Sequence, residues 1–161
     1  MLDLNVQYYL KLILTVSLVA IISAYFIEYI LGYQPCNLCL IERIPYGLSI
    51  ILITLSYFFK KNEKFIILLL ILTFFFSFAI SVYHLGIEQG LFEESAVCGL
   101  KNTTGIISKE EILKQLQEKT VSCKDVTFRI FGLSLTSINI LLGLILVTLL
   151  TKIYISYEKN K

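Results

Sequence analysis

The stretch FIILLLILTFFFSFAISVYHL, residues 65–85, decides the fold class. It carries no charged side chain, and small hydroxyls and His84 are all that interrupt its apolar run. A bilayer core requires about 20 consecutive apolar residues for one helical crossing. Three more stretches approach that length: 12–31, broken by Glu28 near its end; 39–59, with Glu42 and Arg43 close to one end; and 131–154. Leu, Ile and Phe dominate each, without the polar face that a helix on a soluble core presents. Strands or core helices of a soluble protein are the competing reading, and four such lengths in 161 residues argue against it. The expected fold is an all-α membrane protein, residues 1–161 forming one four-helix transmembrane bundle.

Composition points the same way. Apolar residues make up 57 % of the chain, against about 45–50 % in soluble domains. Charged residues make up only 16 %, where about 25 % is usual. A net charge of +2 and a pI near 8.3 give no electrostatic footprint for nucleic acid, because the basic residues fall in loops and termini and not along one face. The first apolar run is too long for a signal-peptide core, and Gln34-Pro35-Cys36 is no small-x-small cleavage site, so the N-terminus is expected to be retained.

The linkers set the orientation. Lys60, Lys61 and Lys64 crowd the turn between the second and third spans, and Lys11, Lys152, Lys159 and Lys161 belong to the same side, where the acidic residues are Asp3, Glu63 and Glu158. The long linker 86–130 holds six basic against seven acidic residues. The positive-inside bias puts both termini in the cytoplasm and the long linker outside. Within it, Ser108 and Glu111 fit a helix N-cap with a capping box. Ile112, Leu113 and Leu116 form the apolar stripe of a short helix that either lies on the membrane surface or packs against the bundle.

Both cysteine pairs then fall on the oxidising side, where disulfides persist. Cys98 and Cys123, far apart in the long loop, would by themselves be read as a structural staple contributing about 3–4 kcal/mol by loop closure. Cys36 and Cys39 argue for more. A Cys-x-x-Cys bridge closes so small a loop that it suits a redox couple better than a brace. With the second helix beginning near Cys39, that sulfur is expected at a helix N-terminus, where a thiolate is favoured. Arg43, four residues on, would lie on the same face and support that thiolate or an anion developing on a bound acceptor. The structural alternative for Arg43 is snorkelling, paired with Glu42. His84 is expected either to serve a cofactor or a proton, or merely to bridge helix ends. Metal binding is not expected, since the second close cysteine pair usual in zinc sites is missing, and Leu40 after Cys39 excludes a c-type haem motif.

These features resemble the DsbB family of membrane disulfide oxidases over nearly the whole chain. The resemblance rests on Pro35-Cys36-Asn37-Leu38-Cys39-Leu40-Ile41-Glu42-Arg43 opening the second span and Tyr83-His84-Leu85-Gly86-Ile87-Glu88 leaving the third. It also includes Cys98 and Cys123 in the long loop and Phe131-Gly132-Leu133-Ser134 entering the fourth span. It implies a bacterial inner-membrane enzyme that reoxidises a soluble periplasmic DsbA-like thiol oxidase and passes the electrons to ubiquinone or menaquinone, and so to the respiratory chain. By the same resemblance, Cys98 takes the mixed disulfide with the soluble partner and Cys123 is its mate. Cys36–Cys39 is the pair nearer the quinone, with Cys39 contacting the ring, Arg43 beside it and His84 next to the site. A vitamin K epoxide reductase-like enzyme is the rival. There the close pair follows the long loop, whereas here it precedes it. A disulfide-stapled, non-catalytic membrane scaffold is the remaining alternative.

Overall fold

The computed structural model describes residues 4–58, 63–93, 121–124, 128–130 and 132–159. Cys98, Lys60, Lys61 and the stretch expected to form a short loop helix lie outside these residues. Among the described residues, four helical spans are long and apolar enough to cross a membrane. Helix α1 covers Leu4–Tyr29, and the second span consists of α2, Asn37–Ile41, and α3, Ile44–Phe58. Helix α4 covers Glu63–Glu88, and α5 covers Leu135–Lys159. A hairpin of β1, Arg129–Ile130, and β2, Leu133–Ser134, precedes α5. The chain is therefore the four-helix membrane bundle that the apolar runs imply.

The helix ends follow from local chemistry. Gly32, at φ +76°, supplies the left-handed turn that ends α1. Cys36 stands before α2 in extended conformation, and its sulfur accepts the backbone N–H of Cys39. The second span thus begins two residues before the expected position, and Cys36, not Cys39, occupies the capping position. Pro45 has no N–H to bond the carbonyl of Ile41, so the span breaks at Glu42–Arg43 before resuming as α3. Helix α4 continues to Glu88, past the expected end at 85, and α5 starts at Leu135, four residues after the expected 131. The start of α5 is fixed by Ser134, whose Oγ accepts the Ser137 N–H at 3.2 Å.

Around the bundle, α1 packs on α3, α3 on α4, and α4 on α5. One apolar core, including Ile13, Ile53, Leu70, Phe74 and Leu150, fills the half nearer the termini. A smaller cluster of Cys36, Leu38, Ile87 and Cys123 sits at the other end. Because lipid is as apolar as the core, polar contacts help fix the helix pairing. Ser49 of α3 donates to Ser17 of α1 at 2.8 Å, both fully buried. Tyr46 of α3 donates to Asn139 of α5, and Asn139 donates to Ser81 of α4 at 2.7 Å.

The division between core and lipid-facing positions is testable on adjacent residues of α4. Phe74 is fully buried and Phe75 is 59 % exposed. Phe74→Ala should cost about 3–5 kcal/mol by cavity formation, read as a loss of thermal stability in detergent. Phe75→Ala should leave the transition nearly unchanged, and equal losses would contradict this assignment of faces.

Candidate functional site

At the end away from the termini the bundle opens into a cavity of about 340 Å³. Ala20 and Ala24 of α1 and Ile138 and Leu142 of α5 form apolar wall. Cys36, Cys39, Glu42, Arg43 and His84 line it from the second and third spans, and Cys123 joins them from the long loop. Five of the six residues picked from sequence therefore meet around one space, and Cys98 lies outside the described residues. The volume is within the roughly 300–1,000 Å³ typical of small-molecule sites, and apolar walls with few polar groups are the usual lining.

The sulfurs are set by the start of the second span. Cys36 and Cys39 are free thiols with their Sγ atoms 2.9 Å apart. Cys36 is buried and Cys39 half-buried. The Cys36 sulfur also accepts the Cys39 N–H at 3.3 Å and lies 3.5 Å from His84 Nε2. The Cys39 S–H bond and the imidazole both favour the Cys36 thiolate, overcoming the opposing effect of burial and lowering its pKa from 9.0 to about 4. The expectation that the helix N-terminus favours a Cys39 thiolate is thus corrected. The two-residue earlier start of the helix directs the Cys39 N–H at the Cys36 sulfur.

His84 is 1 % exposed. Its Nδ1 lies 3.0 Å from Glu42 Oε1, while Glu88 Oε1 lies 3.9 Å from Nε2. Thr136 of α5 donates to Glu88 and stands 3.3 Å from His84 Nδ1. His84 therefore bridges helices, as one of the two sequence alternatives has it, and also lies against the Cys36 sulfur. Arg43 pairs with Glu28 of α1 and lies over the Tyr25 ring, 5.2 Å from its centroid. Glu42 does not pair with Arg43; neighbours in sequence do not face each other on a helix, and the two side chains take different partners.

Sequence reading missed Glu28, Thr136 and Asn139 as parts of the site. Glu28 and Asn139 carried a usable signal, since ionisable and amide groups inside apolar spans need buried partners. Which partners they take depends on helix packing and could not be read from spacing.

The fold and these contacts define a membrane thiol oxidoreductase centre, with two adjacent cysteines on an apolar cavity and a third cysteine packed beside them. The chain belongs to the DsbB family, disulfide bond formation protein DsbB, whose family model matches residues 7–153. It is an enzyme of thiol–quinone linked disulfide exchange, a multi-pass inner-membrane protein with periplasmic loops. It is also 29 % identical over 153 residues to uncharacterized protein RP370 of Rickettsia prowazekii (strain Madrid E), covering 92 % of this chain and 88 % of that relative. No solved structure matches it.

The lowered Cys36 pKa has a direct readout. In the reduced protein, the ultraviolet thiolate absorbance should persist at neutral pH and disappear as pH falls through about 4. Cys36→Ser should remove that component. A wild-type protein with no thiolate at neutral pH would contradict the geometry described.

Proposed function

We propose that Cys98–Cys123 exchanges disulfides with a soluble, periplasmic DsbA-like thiol oxidase and that Cys36–Cys39 delivers the electrons to quinone at the cavity. The observation that carries this reading is the convergence of Cys36, Cys39 and Cys123 on one apolar space that also presents Arg43 and His84. Cys123 packs in the same buried cluster as Cys36. That proximity supports passage of reducing equivalents between the two pairs through these sulfurs, since exchange needs an attacking thiolate aligned on a disulfide.

The cavity fits a quinone ring by its volume and its apolar walls, with Cys39, Arg43 and His84 at the polar end. Cys39, the less buried of the close pair, would be the sulfur that meets the ring. Quinone, when bound, supplies the two-electron acceptor, ubiquinone or menaquinone, and exchanges with the membrane pool. The protein supplies the rest. Cys36 as thiolate forms the bond to Cys39, and two electrons leave through Cys39. Arg43, held by Glu28 and Tyr25, orients the polar end of the cavity. The apolar walls exclude water from the transfer.

Anaerobic mixing of the purified protein, a reduced thioredoxin-like partner and either quinone should yield quinol. If neither quinone is reduced with all four cysteines present, the reading fails. The roles divide further on substitution. Cys98→Ser should abolish trapping of the soluble partner, whereas Cys39→Ser should permit trapping and stop quinone reduction. Identical trapping defects in the two variants would reject this division. Arg43→Leu should lower quinone affinity or turnover, and unchanged values would return Arg43 to a purely anchoring role.

A further inference from the structure

Asn139 is an amide within the apolar run of α5, and its hydrogen bonds can be assigned a direction. Ser81 uses its O–H on the Ser77 carbonyl at 3.0 Å, so its oxygen accepts from Asn139 Nδ2. Tyr46 donates to Asn139 Oδ1, which fixes the amide from its other end. The remaining Nδ2 hydrogen goes to Glu42 Oε2 at 3.1 Å. Glu42 Oε1 then takes the Nδ1–H of His84 at 3.0 Å. With Nδ1 donating, Nε2 is the ring nitrogen that faces Cys36, at 3.5 Å. Three helices thus contribute to one chain of bonds that ends on a reactive sulfur.

We propose that His84, backed by Glu42, accepts and holds the Cys36 thiol proton, and that Asn139 is the positioning residue that aims this pair. The inference rests on the thiol–quinone reading above. In balance, the Cys36–Cys39 bond forms and both S–H bonds break, while one quinone takes two electrons and becomes quinol, one of its oxygens taking the Cys36 proton by way of His84 and the other taking the Cys39 proton. His84 Nε2 carries the Cys36 proton between thiol and quinol oxygen. The charged and titratable groups around it are consistent with a held proton. Glu42 faces Nδ1, Glu88 of α4 lies 3.9 Å from Nε2, and Arg43 is already paired with Glu28 of α1. From α5 the facing groups are the neutral Thr136 and Asn139, and Tyr46 of α3 completes the chain. Cys39 and Cys123 are the other sulfurs lining the same cavity.

The test uses full-length protein, reduced chemically and mixed rapidly with a short-chain ubiquinone across a pH series. General acid–base groups contribute about 10²–10⁴ in rate, and losing the clamp while keeping the base should forfeit about tenfold of it. Asn139→Leu should therefore be slow at neutral pH, with unchanged KM for quinone, and should recover as rising pH ionises Cys36 without help. Asn139→Asp keeps the side-chain volume and gives the opposite profile. Its carboxylic acid can donate to Glu42 at low pH, and its carboxylate repels Glu42 at high pH, so its rate should fall as pH rises. Opposed profiles in the two variants support the positioning role. Wild-type profiles in both, or parallel losses at every pH, would overturn it while leaving wild-type quinone reduction intact. If Asn139→Leu fails to fold, the sign of the Asn139→Asp profile decides alone. Failure of the wild type to reduce quinone would instead bring down the parent reading.

Discussion

A carboxylate buried inside a membrane span must find donors for both oxygens, and Glu42 is the group on which this site depends. Burial of an uncompensated charge costs several kcal/mol even after relaxation, and lipid offers no water to solvate it. Glu42 meets that demand with one N–H from His84 of α4 and one from Asn139 of α5. Satisfying it therefore requires three spans to stand in one arrangement. The same arrangement delivers the imidazole to Cys36. Stability of the bundle end and placement of the base are, in this protein, consequences of one constraint.

The second constraint is the broken start of the second span. Had Asn37–Phe58 been a continuous helix, Glu42 and Arg43 would project in directions fixed by one helical register. Pro45 removes the bond that would carry the helix through, and the two neighbouring side chains take separate partners. Glu42 turns to His84 and Arg43 turns to Glu28. Cys36, lying just outside the first turn, receives the Cys39 N–H on its sulfur. Capping of this kind is ordinarily done by a side-chain oxygen; here the capping atom is redox-active, and the end of the helix becomes part of the chemistry.

The spans were legible because bilayer thickness imposes a length on apolar runs, and residues 65–85 display that length without interruption. The motif around Cys36 and Cys39 was equally legible, since spacing alone distinguishes a strained redox loop from a long-range staple. What could not be read was direction. Periodicity cannot reveal that Pro45 splits the span, so the thiolate was expected on Cys39 where capping favours Cys36. Asn139 is separated from Glu42 by nearly a hundred residues, and no local pattern links them. Its polarity within an apolar run was visible; its partner became visible only once α4 and α5 were packed.

The partnered state of Arg43 bears on how this centre manages charge. An unpaired guanidinium at the cavity would hold any anion strongly, including a product anion that must leave. Glu28 offsets it, and the Tyr25 face covers part of it. His84 and Glu42 form a second cation–anion pair once the Cys36 proton is taken up. The cavity is then bordered by these two pairs, with Glu88 beside His84, and the thiolate on Cys36 is the sulfur charge left to react. Charge is thereby concentrated on the sulfur that must form a bond, while the groups beside it orient without trapping. A centre that turns over against a membrane pool needs this balance, because a site that bound its reduced product as firmly as its oxidised substrate would gain affinity and lose rate.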